Sequence, residues 1–132
     1  CDSAMPLPLG GVTENRRSLI CVDNLADAVV TAISHPAAAG QTFLVSDGAP
    51  VSTASLAAAI RAALGRPAGL IPVPPGILRL LLSMVGKSAA ADRLTESLEV
   101  DDTLIRETLG WAPPVTFRDG LTAMADWYRD TQ

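Results

Sequence analysis

Signals that start and stop helices recur so often along this chain that no regular element can run far. Ten prolines and ten glycines fall between the apolar runs, and cap-forming residues precede most of those runs. Residues 19–22 read as a compact β-compatible run. Asp23 or Asn24 then offers an acceptor to the free N–H groups of a predicted helix in which Leu25, Ala28, Val29, Ala32 and Ile33 recur at helical spacing. Pro36 and Gly40 stop it. Residues 42–45 are a second predicted strand, closed by the turn chemistry of "SDGAP". Ser52 or Thr53 caps the next helix, whose apolar positions are Leu56, Ala59, Ile60, Ala63 and Leu64, and Gly65 and Pro67 end it. "GLIPVP" (69–74) is a third extended piece, and Pro75 suits the first turn of a Leu-rich helix over residues 77–85. Two more helices follow. One runs from an Asp101/Asp102 cap to Gly110; the other opens with "TFRD", where Thr116 precedes an acid by three residues, before Leu121, Met124, Ala125 and Tyr128. Strands alternating with helices predict an α/β class rather than a bundle or a sandwich.

The 132 residues suffice for one domain with its own core, taken as residues 1–132, with 1–4 read as a cloning remnant because Met5 stands fifth. Hydrophobic residues make up 48% and charged ones 18%, a balance that predicts folding rather than disorder. The net charge is -4, and the cations are scattered singly except at Arg16 and Arg17, so no basic stripe exists to track a nucleic acid. Two cysteines and one histidine cannot build a disulfide framework or a Cys/His metal site, and no signal peptide is visible. A cytoplasmic, metal-free protein is the expectation. The longest apolar block, residues 76–86, falls short of the ~20 residues a membrane-spanning helix needs.

No constellation for catalysis is complete. A Gly-x-Gly-x-x-Gly following a strand is missing, and "GRPAG" leaves a helix instead of entering one. His35 before Pro36 reads as a helix C-terminal cap. Tyr128 lies beside Trp127 on an apolar stripe, has no lysine four positions later, and reads as core. Asp92, Glu96, Glu99, Asp101 and Asp102 read as caps and solvated surface. The arginines remain. Arg17 stands immediately before a predicted strand, where its side chain can project into a cleft, and a guanidinium offers phosphate two parallel donors. Arg93, between the Leu-rich helix and "EVDD", is the second candidate. The plain alternative for both is a surface ion pair of at most ~1 kcal/mol.

The segments "NRRSLICVDNLADAVVTAI", "GQTFLVSDGAPVSTASLAAAI" and "VDDTLIRETLGWAPPVTFRDGLTAMADWYR", in that order, resemble the C-terminal portion of NAD-dependent epimerase/dehydratases. These belong to the extended short-chain dehydrogenase/reductase family, and the UDP-glucose 4-epimerase-like enzymes are the most similar. The resemblance covers nearly the whole chain. It implies a small mixed α/β substrate-binding lobe without the Rossmann domain that holds NAD and the Tyr-x-x-x-Lys pair. Arg17 would then grip the diphosphate of a UDP-sugar or similar nucleotide-sugar, with Arg93 as a second ligand. Pro8, Leu9 and Gly10 would lie in a strand whose backbone runs along the base. Family members usually carry a Gly-Asp pair soon after the second arginine; here the sequence reads "RLTESLEVDD", which shortens the spacing. The resemblance assigns catalytic residues and cofactor ligands to the parent's other part, so this chain alone is expected to be silent. There, NAD would remove a hydride from a sugar carbon and return it.

Two other readings compete: the equivalent lobe of an NAD(P)-dependent reductase acting on substrates without a nucleotide, and a free-standing interaction module. The Leu-rich segment, interrupted only by Arg79 and Ser83, needs cover on several sides, expected from other helices or from the chain's own N-terminal Rossmann domain rather than from a membrane. A homodimer is compatible with each reading.

Overall fold

The computed structural model describes residues 6–84, 86 and 88–131. The expectations that 1–4 are a cloning remnant and that the Leu-rich helix reaches Val85 lie outside those residues. Regular structure among them is helical: α1 (Val22–Ser34), α2 (Thr53–Ala63), α3 (Pro75–Met84), α4 (Ser88–Thr95), α5 (Thr103–Leu109) and α6 (Phe117–Asp130), with a 3₁₀ turn at Pro36–Ala38. The helices of the predicted α/β pattern are present. The predicted strands are not formed among the described residues, where pairing is confined to isolated bridges joining Leu7 to Leu70 and Arg17 to both Val51 and Leu98. A strand needs a neighbour to pair with residue after residue. Residues 19–21 and 42–47 stay extended, but they meet through Asp47 N–H donating to the Leu19 carbonyl at 2.8 Å.

Capping explains most boundaries. The Ser52 hydroxyl accepts the Ser55 N–H at 3.1 Å, and the Thr116 hydroxyl accepts the Asp119 N–H at 3.2 Å while donating to the Asp119 carboxylate at 2.6 Å, close to a capping box but with the hydroxyl in place of the Thr116 N–H. Gly110 ends α5 at φ +64°, a left-handed conformation that costs glycine little. At α1 the cap differs from expectation. Cys21 holds the N-cap position and Asp23 lies in the first turn, while Asn24 is turned inward. His35 holds the expected C-cap position of α1, its N–H donating to the Thr31 carbonyl at 2.9 Å, and its Nδ1 also accepts the Ala37 N–H at 3.2 Å and so opens the 3₁₀ turn. Helix α4 is an addition to the predicted pattern; eight residues of "SAAADRLT" are too few to display a period.

The described residues pack as two compact units. The first comprises the chain up to Arg17, Val51–Leu98 and the residues from Leu121. Val12, Ala54, Ala57, Leu78 and Ala125 are buried in it, with the polar Asn15, Thr53 and Arg61. Helix α3 packs along α4, where Arg79 pairs with Asp92 at 2.7 Å. The second unit comprises Ser18–Pro50 and Glu99–Gly120. Its core is Ala28, Ile105, Leu109 and Trp111, with Ile20, Phe43 and Val45 packed against it. Trp111 is buried with Ala28, Ile105 and Leu109, donates Nε1–H to Asp27 at 2.9 Å and carries the Arg106 guanidinium 5.8 Å from its ring centroid.

Of the apolar stripe read along α1, Ala28 is buried and Ala32 half-buried, while Leu25, Val29 and Ile33 are exposed. Tyr128, expected in the core, is half-buried, and its neighbour Trp127 is 66% exposed. Helical period identifies an apolar stripe, but it does not reveal whether a neighbour covers that stripe.

Candidate functional site

The site begins with Asn15, a buried amide with all its polar atoms engaged. Its Nδ2 donates to the Thr53 hydroxyl at 2.8 Å and reaches the Leu94 and Glu96 carbonyls at 3.3 and 3.4 Å; its Oδ1 accepts the Thr53 N–H at 3.0 Å. The Thr53 hydroxyl donates in turn to the Leu94 carbonyl at 2.7 Å. Main-chain bonds extend this clamp. Arg17 and Val51 exchange a pair at 2.9 Å each, and Leu98 N–H donates to the Arg16 carbonyl at 2.8 Å. Residues 15–17 are therefore held on one side by the start of α2 and on the other by the chain leaving α4.

That clamp brings the two candidate arginines together. The Arg17 guanidinium donates through Nη1 to the main-chain carbonyl of Arg93, in the last turn of α4. Carbonyls in a last helical turn lack an intrahelical partner, so a cationic donor is favourable there. Arg17 is half-buried and Arg93 exposed. Neither guanidinium is paired with a carboxylate among the described residues, whereas Arg79, Arg106 and Arg129 are. The contact between them is thus from the Arg17 side chain to the Arg93 main chain, and the Arg93 side chain is exposed.

Pro8, Leu9 and Gly10 lie on a turn rather than in the predicted strand. Leu7 makes a single parallel bridge to Leu70, after which Gly10 N–H donates to the Ile71 carbonyl at 2.9 Å. The approach is too close for side chains: a Cβ on Gly11 would stand 2.1 Å from the Val73 carbonyl oxygen. The turn leads to Val12, whose carbonyl accepts the Ala54 N–H at 3.0 Å. Both predicted pieces thus flank the N-terminus of α2.

That N-terminus is itself filled. The N–H groups of Thr53, Ala54 and Ser55 go to Asn15, Val12 and Ser52, so the end cannot cradle the pyrophosphate of a dinucleotide.

The sequence reading passed over Arg61 and took Asn24 only as a candidate helix cap; both are buried polar anchors. Arg61, 1% exposed, donates Nε–H to the Pro67 carbonyl at 2.8 Å and sits against Gly69, organising the "GRPAG" turn. In the second unit, Asn24 exchanges 2.8 Å bonds with both main-chain groups of Val115 and donates to Asp47 at 2.7 Å; Asp47 also accepts the Cys21 N–H at 2.9 Å. The "VDN", "SDG" and "WAPPV" stretches converge on this buried amide. A polar residue at a position that helical phase assigns to the buried side of α1 was the available signal. Nearby, Ser46 and Arg106 hold Asp102 at 2.8 and 2.7 Å and keep its carboxyl below the usual range, the arginine having the largest effect.

Comparison with known proteins agrees with the motifs. The chain is 47% identical over 124 residues to a UDP-glucose 4-epimerase from Vibrio cholerae, covering 94% of this chain and 38% of that protein. It is 32% identical over 120 residues to a UDP-glucose 4-epimerase from Mycolicibacterium smegmatis, covering 91% of this chain and 33% of the relative. An uncharacterized protein, y4nL, from Sinorhizobium fredii is 27% identical over 137 residues. No family model and no solved structure matches. The chain spans less than two fifths of the length of these relatives, consistent with a C-terminal piece. No helix among the described residues is long and apolar enough to cross a membrane. By sequence relationship this chain is a homologue of part of the UDP-glucose 4-epimerases, within the epimerase/dehydratase family that its motifs resemble.

Proposed function

We propose that this chain is the nucleotide-sugar-binding part of an NAD-dependent sugar-nucleotide epimerase or dehydratase of the UDP-glucose 4-epimerase type. Arg17 and Arg93 hold the diphosphate, and the Pro8, Leu9 and Gly10 backbone lies along the base. The observation that carries this reading is the clamp that sets the Arg17 guanidinium against the Arg93 main chain, in a chain 47% identical to a UDP-glucose 4-epimerase segment. A planar guanidinium from each arginine would suit two linked phosphoryl groups. NAD and the proton-transfer residues belong to an N-terminal Rossmann domain of the same polypeptide, and the 132 residues alone turn over no substrate. The enzyme works in the cytoplasm.

The test is binding of a UDP-sugar to the full-length protein carrying Arg17→Ala. Affinity for the UDP-sugar should fall while affinity for NAD is unchanged. Equal UDP-sugar affinity in the variant and the parent rejects the reading in favour of a reductase lobe whose substrate has no nucleotide.

One observation favours a second reading, in which Arg17 is a structural clip. Its Nη1 already serves a helix-end carbonyl. A clip predicts that Arg17→Ala lowers thermal stability, whereas Arg93→Ala, which keeps the accepting main chain, changes neither stability nor binding.

A further inference from the structure

Helix α4 ends without a left-handed turn. Among the described residues none between Gly86 and Gly110 has a positive φ, so no glycine takes up the carbonyls of the last turn, which lack intrahelical donors. Side chains from two other segments do so instead. The Leu94 carbonyl accepts the Thr53 hydroxyl at 2.7 Å and Asn15 Nδ2 at 3.3 Å, the Glu96 carbonyl accepts the same Nδ2 at 3.4 Å, and the Arg93 carbonyl accepts Arg17. Asn15 and Thr53 are also locked to each other, through Nδ2 to the hydroxyl at 2.8 Å and the Thr53 N–H to Oδ1 at 3.0 Å. They are 5% and 6% exposed, so water competes little for these bonds.

We infer that Asn15 and Thr53 are positioning residues for nucleotide-sugar binding: they touch no ligand, but they fix the end of α4 and so set where Arg93 stands relative to Arg17. The inference rests on the reading that Arg93 holds the diphosphate. Arg17 is registered separately, by its main-chain pair with Val51. Arg93 instead rides on a helix of eight residues, too short to be stable by itself, so its place depends on what grips that helix. The ion pair from Arg79 to Asp92 is solvent-exposed and weak. The buried amide and hydroxyl at the helix end are the stronger constraint.

The experiment uses the full-length protein and UDP, which carries the diphosphate. Thr53→Val removes the hydroxyl at nearly constant volume, and Thr53→Ser keeps it. Measured where each variant is fully folded by circular dichroism, Thr53→Val should weaken UDP binding by about tenfold with NAD affinity unchanged, and Thr53→Ser should bind as the parent does. In a protein already carrying Arg93→Ala, Thr53→Val should weaken UDP binding by less than about twofold, because there is no guanidinium left to place. A purely structural role would lower the melting temperature in both backgrounds and leave these affinities alone. A second measurement needs no variant. A clamp whose opening weakens binding must open less often when the ligand is bound, by the same factor. Saturating UDP should therefore slow hydrogen exchange at the Thr53 and Leu98 amides by about tenfold relative to the Val115 amide. Parent-like UDP affinity in Thr53→Val, an equal loss with and without Arg93, or exchange at Thr53 and Leu98 unmoved by UDP each overturns the inference. If Arg93→Ala still weakens UDP binding in that case, the nucleotide-sugar reading stands and only the positioning role falls; undiminished affinity in Arg93→Ala removes both.

Discussion

Asn24 and Val115, 91 residues apart, exchange two hydrogen bonds of 2.8 Å, the amide of one serving both main-chain groups of the other. The pair ties the first helix after the paired arginines to the turn before α6. Because Asn24 is 0% exposed, water cannot replace either bond when the side chain is removed. Asn24→Leu should therefore destabilise the protein by about 2–4 kcal/mol, measured by urea unfolding. Asn24→Asp should be no better, since it removes the donor and faces Asp47 with a second carboxylate. Wild-type unfolding by either variant would contradict this account of the anchor.

Backbone proximity supplies a graded prediction. At Gly11 a Cβ would stand 2.1 Å from the Val73 oxygen, and at Gly10 the nearest atoms, also main chain, would be 3.0 Å away. Main chain cannot rotate aside as a side chain can. Gly11→Ala should cost about 1–3 kcal/mol or prevent folding, and Gly10→Ala should cost less. Thermal melts of the two variants check the order; equal melting temperatures would refute the close approach.

The Asp102 carboxyl predicts an acid limb. Its folded-state pKa is held below the ordinary 3.8 chiefly by the hydrogen bond from Arg106, with Ser46 adding to the effect and partial burial opposing it. A depressed carboxyl contributes stability that is complete above the unfolded value and is lost as pH falls through the lower folded value. The contribution is constant at neutral pH and disappears below about pH 4. Asp102→Asn should lower stability at pH 7 and flatten its decline below about pH 4, as read from melts across pH. An unchanged acid slope would show that the pair contributes nothing.

Arg93 separates binding from structure more cleanly than Arg17. The bond it receives ends on its carbonyl, which every residue possesses. Arg93→Ala should leave the melting temperature unchanged while weakening UDP-sugar binding by roughly 10- to 100-fold, the worth of a charge-assisted contact to phosphate. Titration of the full-length variant measures this, and undiminished affinity would remove Arg93 from the proposed site.

Much of the local structure could be read from single residues. The Ser52 cap, the Thr116 cap and the left-handed Gly110 turn all depend on groups a few positions apart. The sequence also marked Arg17 and Arg93 as candidates for phosphate, since guanidinium has few rivals for that group. Their meeting was not, because it depends on Asn15 and Thr53 binding the far end of α4, 79 and 41 residues away.

The sequence by itself determined where helices begin and end, because capping and backbone preference act within a turn or two of the chain. Tertiary structure alone decided which faces those helices bury and which side chains share a site. Residues 19–22 and 42–45 have the composition of strands, but pairing requires a partner at the right distance and register, so here they remain extended without a ladder. The apolar stripe of α1 was equally visible, yet coverage is a property of the neighbour: Ala28 of that stripe is buried while Leu25, Val29 and Ile33 are exposed.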